Sequence, residues 1–453
     1  MEYFESLLNP YSPALIPIYW TEKPNESIQL YKGLLEIIQG DTAYEGEGSI
    51  FFEWLPSPSI NFYFSTQGEF TYQLSLDKAR LKLLETEIIV EVYILSVPII
   101  FDEKLEISGY LSEPTLLGSG QTLRSVTFHL SNFHSFIGTQ VRRKNSICSD
   151  RLLLKVDGWS IYIDKLESLT EIIKSLKSQG GYAITHVGKI ERSDQKTFSS
   201  KEAEEILEIL HWFLSFCRGF RISPILLVGQ NSSGKKVWEK WHSNQLISPW
   251  KIVDSWFIDL HSLNTQNINE LFAGFLTLWK TDTWNDAIRL AIHWYLESNA
   301  QAGAVQGSII LLQAAFELLA GTLLLEDKKI TEEAFNKLKA FEKLRHLLKE
   351  CNLPLEIPDT LTHLLQAAKP EDLDWSDGVQ ALTQTRNALV HANPEKRKKF
   401  LNRSFSEKVD IVNLGLWYLE LVLLKVFGYK GQYLSRVTCK EIKYENIQTV
   451  PWA

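Results

Sequence analysis

The spacing of apolar positions changes character once along this chain. From residue 17 to residue 165 they fall in short β-branched and aromatic runs, IQLYKGLLEIIQG, SIFFEWLP, INFYFSTQGEFTYQL and EIIVEVYIL, separated by Gly, Pro and Ser. That pattern predicts strands joined by turns. In LLLKVDGWSIYI, Asp157-Gly158 stands between two apolar runs, which predicts a two-residue hairpin turn with positive φ at both central positions. One helix interrupts the strands over residues 199–219, SSKEAEEILEILHWFLSFCRG. It opens with a capping box, Ser199 reaching forward and Glu202 reaching back, and stops at Gly219. Its apolar positions cover most of the circumference, so the helix should be buried against a sheet. ISPILLVG and KKVWEKW then return to strand patterning.

From about residue 250 the spacing becomes 3 and 4. NELFAGFLTLW, WNDAIRLAIHWYLES, SIILLQAAFELLAGTLLL, TEEAFNKLKAFEKLRHLLKE, SDGVQALTQTRNALVHA and SEKVDIVNLGLWYLELVLLKVFG all read as helices. Thr331 precedes an acidic first turn, Ser376 is an N-cap candidate and Gly428 closes the last helix. Short connections between such helices imply an antiparallel bundle. The expected architecture is α+β and multidomain: a tail over 1–16, a β-rich sensor or regulatory domain over 17–248 with one buried helix, an all-α bundle over 249–430, and a tail over 431–453. No internal repeat or low-complexity tract is visible.

Composition narrows the function classes. At 453 residues the chain is too long for a single core. Its 45% hydrophobic and 23% charged residues are those of an ordinary globular protein, and the 14 Trp read first as core payload rather than base-stacking platforms. A net charge of −8 argues against a surface coated for nonspecific nucleic-acid binding, while leaving room for a local basic patch. Cys148, Cys217, Cys351 and Cys439 are far apart with no CxxC pair, which suits neither a zinc site nor a disulfide scaffold. The opening MEYFESLLNPYSPALIP is acidic and broken by prolines, unlike a signal peptide. No apolar run reaches about 18 residues; the longest, LWYLELVLLKVF, holds a Glu and a Lys. A reducing cytoplasm is expected, with no membrane partner and no cofactor.

Several motifs resolve to structural roles. ILLVGQNSSGKKVW has the G-x4-G-K spacing of a phosphate-binding loop, but Lys236 stands where Ser or Thr would ligate magnesium, and strand rather than helix patterning follows. A hairpin loop is the better reading. Glu371, Asp372, Asp374 and Asp377 in EDLDWSD form an acidic lead-in to a helix, where negative charge meets the positive end of the dipole. His129, His186, His211 and His363 are single and flanked by apolar residues. His293 and His346 lie on predicted helices with no second ligand one turn away. All six read as core or surface histidines.

RNALVH is different. A helix advances about 100° per residue, so Asn387 and His391 share a face, and the long side chain of Arg386 can wrap toward it. Leu382, Leu389 and Val390 supply the apolar stripe, which leaves the polar set at its edge. A helix C-terminus that favours Arg and His for the dipole is the plain alternative.

This Arg-Asn-x-x-x-His arrangement, late in a helical bundle, resembles the R-x(4–6)-H motif of the HEPN superfamily, often with a polar residue directly after the Arg. SIILLQAAFELLAG resembles the family's earlier helix bearing an acidic residue, here Glu317. A β-rich region ahead of the bundle is similar to ApeA-type anti-phage proteins. The motif resemblance covers about residues 265–428 and implies a metal-independent endoribonuclease, with two protomers pairing their motifs across a symmetric interface. The implied partners are RNA, a second copy of the chain through the helical domain, and a phage-derived or other protein trigger at the N-terminal domain.

The residue types suit that chemistry. Cleavage without metal begins with attack of the 2′-OH on the adjacent phosphate and leaves a 2′,3′-cyclic phosphate and a 5′-OH. His391, with an ordinary pKa of about 6.5, would act as base toward the 2′-OH or as acid toward the leaving oxygen. Arg386 offers a planar fork of donors to the charged phosphorane. Asn387 would orient the histidine or bond phosphate, and Glu317 would orient Arg386. Lys396, Arg397, Lys398, Lys399 and Arg403 would place positive charge along an RNA backbone, or form a solvated turn. The alternative is a catalytically inactive HEPN module that binds RNA or a protein partner.

Overall fold

The structure, a computed structural model, describes residues 10–67, 74–97, 104–144, 146–242, 247–258, 265–301, 304–327, 330–368, 375–391, 394–438 and 443–453. Residues 1–9, the acidic Glu371, Asp372 and Asp374, Cys439 and the side chain of Lys399 lie outside the described residues.

The β-rich half consists of two units. β1 (Ile28–Gln39), β2 (Thr42–Glu53), β3 (Ser59–Gln67), β4 (Lys78–Leu83), β5 (Ile88–Ser96) and β6 (Lys104–Leu111) close into an antiparallel barrel in the order β1-β2-β3-β6-β5-β4. Period-2 alternation sends Leu35, Ile37, Phe52, Phe62, Leu81 and Val92 into a packed interior. An eight-stranded sheet follows, built from β7 (Thr115–Gly118), β8 (Ser125–Ser131), β9 (Thr139–Arg143), β10 (Ser146–Val156), β11 (Trp159–Lys165), β12 (Ile184–Arg192), β13 (Pro224–Gln230) and β14 (Lys236–Trp241). Its order is β7-β14-β13-β8-β12-β11-β10-β9. The β10–β11 turn is Asp157-Gly158, at φ 50° and 75°. The phosphate-loop lookalike is the β13–β14 hairpin, in which Asn231 Oδ1 accepts the amides of Ser233 and Lys235.

The helix over Leu169–Gln179 (α1) has no counterpart in the sequence reading. The helix over Ser200–Arg218 (α2) has its expected capping box, and Gly219 is left-handed beyond its end. Both faces of the sheet are covered. Phe128, Leu152, Ile161 and Ile190 share one core with α2 and the helical half. Val187 and Ile225 pack with the barrel and with Ile172 and Leu176 of α1.

The helical half contains α3 (Thr265–Trp279), α4 (Asp282–Asn299), α5 (Ala304–Ala320) with a π turn over Gly321–Glu326, α6 (Glu332–Lys337), α7 (Ala340–Glu350), α8 (Thr362–Ala367), α9 (Gly378–Val390), α10 (Pro394–Leu401) and α11 (Phe405–Val426). α3 lies against β10, and α5 is central, touching α4, α7, α9 and α11. The Ala304–Glu326 helix is apolar enough, by length and composition, to cross a membrane, although no apolar run was expected to reach that length. Its Leu312, Ala315, Phe316 and Leu319 are buried in the bundle.

Three details differ from expectation. TEEAFNKLKAFEKLRHLLKE is two helices rather than one, because Leu338 and Lys339 are extended. α9 is capped by Asp377, whose Oδ1 accepts the Gln380 amide, and not by Ser376. The described parts of the terminal segments also pack against the rest of the chain. Residues 10–22 run along the sheet, where β9 bridges to Pro13. Beyond α11, β15 (Gln432–Leu434) and β16 (Ile447–Thr449) pair and pack back on the bundle through a hydrogen bond from Trp417 Nε1 to Tyr433.

Candidate functional site

The polar set of RNALVH lies in the last turn of α9 and the residue beyond it. α9 forms because Val379, Ala381, Leu382, Thr385 and Ala388 supply a buried face toward α5, α7 and α11. It ends at Val390. His391 is the C-cap: φ of −86° keeps its Cα on the helical path, ψ of 147° turns the chain away, and its amide bonds the Asn387 carbonyl. The imidazole is exposed.

Arg386 and Asn387 are half-buried one turn earlier. Arg386 Nη1 donates to Asn387 Oδ1 at 3.3 Å. Its Nε is buried and has no hydrogen-bond partner among the described residues. Such a donor usually finds an acceptor, because stranding it costs about 1–3 kcal/mol. The apolar stripe is narrower than expected. Leu382 is buried and Leu389 half-buried, but Val390 faces outward.

The remaining predicted residues divide into two groups. Glu317 is exposed on α5, where its Oε1 accepts from Gln313 Nε2 at 3.1 Å. No hydrogen bond or ion pair joins it to Arg386 among the described residues. Lys396, Arg397 and Lys398 are exposed on α10, which the Pro394 start makes a short helix rather than a turn. Arg403 points inward instead. Its side chain is 11% exposed, bonds Thr385 Oγ1 at 3.1 Å, pairs with Glu407 at 3.2 Å, and lies 4.2 Å from the Trp375 ring centre. Burial lowers the Arg403 pKa and raises that of Glu407. Arg403 therefore braces α9 against α11 and does not extend the basic face, a correction to its expected role along RNA.

Among the described residues no three His, Cys, Asp or Glu side chains gather as a cation site. Sequence reasoning missed the exposed apolar set at the same end of the bundle: Val390 at the end of α9, Leu401 at the end of α10 and Phe405, 72% exposed, at the start of α11. The signal was present in KKFLNRSFSEK, three large apolar residues in an otherwise polar stretch, of which Phe400 is buried and Leu401 and Phe405 are exposed.

In fold, then, the chain is an α+β protein in which a barrel and a broad antiparallel sheet lead into a helical bundle. Residues 118–253 match the YopA central domain, and residues 281–447 match the YopA C-terminal domain. The first match spans the sheet from β8 onward with α1 and α2, and the second most of the bundle; the barrel lies outside both. Over 439 residues, 94% of this chain and 95% of the other, the sequence is 28% identical to the SPbeta prophage-derived uncharacterized protein YopA of Bacillus subtilis (strain 168). No solved structure matches the chain.

Proposed function

We propose that the helical half is a metal-independent endoribonuclease of HEPN type, acting in the cytoplasm in phage defence, with the β-rich half as sensor or regulator. The observation that carries this reading is the half-buried guanidinium of Arg386, held by Asn387 near the exposed His391 at the end of the same helix. A scissile phosphate beside His391 would be met by the Nη donors of that guanidinium. The 2′-oxygen attacks phosphorus as its proton passes to a base, the P–O5′ bond breaks, and the leaving oxygen takes a proton. His391 serves one of these transfers, and Arg386 stabilises charge that develops only in the transition state. Asn387, already bonded to Arg386, holds the guanidinium in place.

One chain presents a single Arg/His pair. A second copy docking on Val390, Leu401 and Phe405 would bring two pairs together and cover an exposed apolar edge. The exposed Lys396, Arg397 and Lys398 beside α9 suit an RNA backbone. A relative carried on a prophage supports placing the activity in conflict between phage and host.

The test is incubation of the purified chain with structured RNA beside His391→Ala and Arg386→Ala. Cleavage leaving 2′,3′-cyclic phosphate ends, lost in both variants, is expected; equal cleavage by wild type and His391→Ala ends the proposal. A non-cutting module that binds RNA is favoured instead if RNA is retained without cyclic ends.

A further inference from the structure

The barrel concentrates the charge of the whole chain. Residues 28–111 hold 13 Asp and Glu against 5 Lys and Arg, a net of −8, while the rest of the chain is balanced at 42 of each sign. An acidic unit joined to a neutral remainder repels nucleic acid and anionic lipid and draws cationic partners toward one end of the molecule.

The outer wall of the barrel holds an open hollow of about 1010 Å³. Strand register builds it. Leu34, Glu47, Ser65 and Glu106 stand opposite one another across β1, β2, β3 and β6, with Tyr63 in the adjoining row. Their chain neighbours Leu35, Phe64 and Ile107 point the other way, into the packed interior. Gly48 lets the wall bend inward at this level: a Cβ there would lie 2.4 Å from Leu35 Cδ1 and 2.6 Å from the Tyr63 carbonyl oxygen. Leu34 is left 52% exposed and Tyr63 43%, with the Tyr63 hydroxyl donating to Glu53 Oε1 at 2.9 Å.

Three carboxylates, Glu47, Glu85 and Glu106, and one ammonium, Lys32, are the charged groups of the hollow. Glu106 pairs with Lys104. Glu47 and Glu85 form no ion pair among the described residues. The wall therefore selects its occupant. A closed barrel offers no free edge, so a partner strand cannot be added by backbone pairing and must be held by side chains. Small-molecule sites enclose their ligand in mostly apolar walls, whereas this hollow is open and lined by serine and carboxylate. We infer that it docks a basic polypeptide segment of a partner protein, with Lys or Arg meeting Glu47 and Glu85 and their aliphatic stems covering Leu34 and Tyr63. The inference stands without the nuclease reading of α9.

The test is fluorescence anisotropy with the full chain and a labelled peptide alternating Lys with Ser, beside its counterpart carrying Glu at every Lys position. The basic peptide should bind at least about ten-fold more tightly, by charge complementarity. Glu47→Lys, Glu85→Lys and Leu34→Ser, all at exposed positions, should each weaken it about five-fold or more with the unfolding midpoint unchanged. Glu333→Lys makes the same change of charge on the exposed face of α6 and should leave the affinity within about two-fold. Equal binding of the two peptides overturns the inference, as does indifference to the hollow substitutions. An equal loss in Glu333→Lys also overturns it, because the attraction would then belong to the whole chain. So does displacement of the bound peptide by maltotriose, which would mark the hollow as a saccharide site.

Discussion

Arg436 reaches back across the end of the bundle to put Nη2 2.8 Å from Glu420 Oε1, with both side chains nearly closed to solvent. Tyr295 donates to the same oxygen at 2.6 Å. The pair ties the segment after β15 to α11 and α4. Taking either partner away strands a buried charge, so Glu420→Ala or Arg436→Ala should cost about 3–5 kcal/mol in urea unfolding. Replacing both at once with Leu and Met should cost much less than the two single losses added together. An additive double variant would show that the two groups are not energetically coupled.

Among its described side chains, the basic run after α9 divides into a structural member and three exposed ones, and substitutions should separate them. Arg403→Ala removes a hydrogen bond, an ion pair and a ring contact, and should lower stability by about 1–3 kcal/mol. Lys396→Glu, Arg397→Glu and Lys398→Glu should leave the unfolding midpoint in place. If α10 tracks RNA, each should weaken RNA retention and reduce the salt dependence of binding, by about one unit of slope per lost phosphate contact. Unchanged RNA retention in all three would remove α10 from the interface.

The strands, their hairpin turn and the bundle helices were legible because short-range signals set them: Asp157-Gly158, the Ser199/Glu202 box and a sustained spacing of 3 and 4. The division of the β-rich half was not legible. Short apolar runs mark strands in both units, and whether β6 turns back to β3 and β5 or continues into the next sheet is decided by long-range pairing. At the candidate site, helical period placed Arg386 and Asn387 side by side near the end of α9, whereas His391 lies one residue beyond the helix as its C-cap, where that period no longer applies. The inward turn of Arg403 was not legible either, because Trp375, Thr385 and Glu407 meet it only after α9 and α11 have packed. Glu317 lies on a helix beside α9 but is exposed and bonded to Gln313, a placement that helical spacing does not give.

Gly274, in the middle of α3, sets how closely that helix meets the end of α11. A Cβ there would lie 2.0 Å from the Phe427 carbonyl oxygen, a backbone atom that cannot move aside alone. Gly274→Ala should therefore destabilise by about 1–3 kcal/mol, although Ala is the better helix former by about 1 kcal/mol. Gly321→Ala is the control: the nearest atom to its Cβ is Phe335 Cζ at 3.9 Å, so it should be neutral or mildly stabilising. Thermal unfolding of the two variants decides the matter, and a Gly274→Ala chain as stable as wild type would refute the close contact.

Three buried histidines should make the β-rich half sensitive to acid. Burial holds His129 at about 4, His186 at about 3 and His211 at about 4, against an ordinary 6.5. His129 must stay neutral for a further reason: Nδ1 faces the Leu226 carbonyl at 3.2 Å, leaving Nε2 to accept the Ile18 and Tyr19 amides. With the folded values depressed, the unfolded chain binds protons that the folded chain refuses between about pH 6.5 and 4. Stability is thus fully present above 6.5 and falls as pH drops through that window, by up to about 1.4 kcal/mol per pH unit for each group. The unfolding midpoint, followed by circular dichroism from pH 7 to 4, should decline steeply. Replacing His129 with Gln, which keeps an acceptor without a titrating ring, should make that decline shallower. A profile with the same slope in wild type and His129→Gln would mean that His129 does not contribute to the acid response.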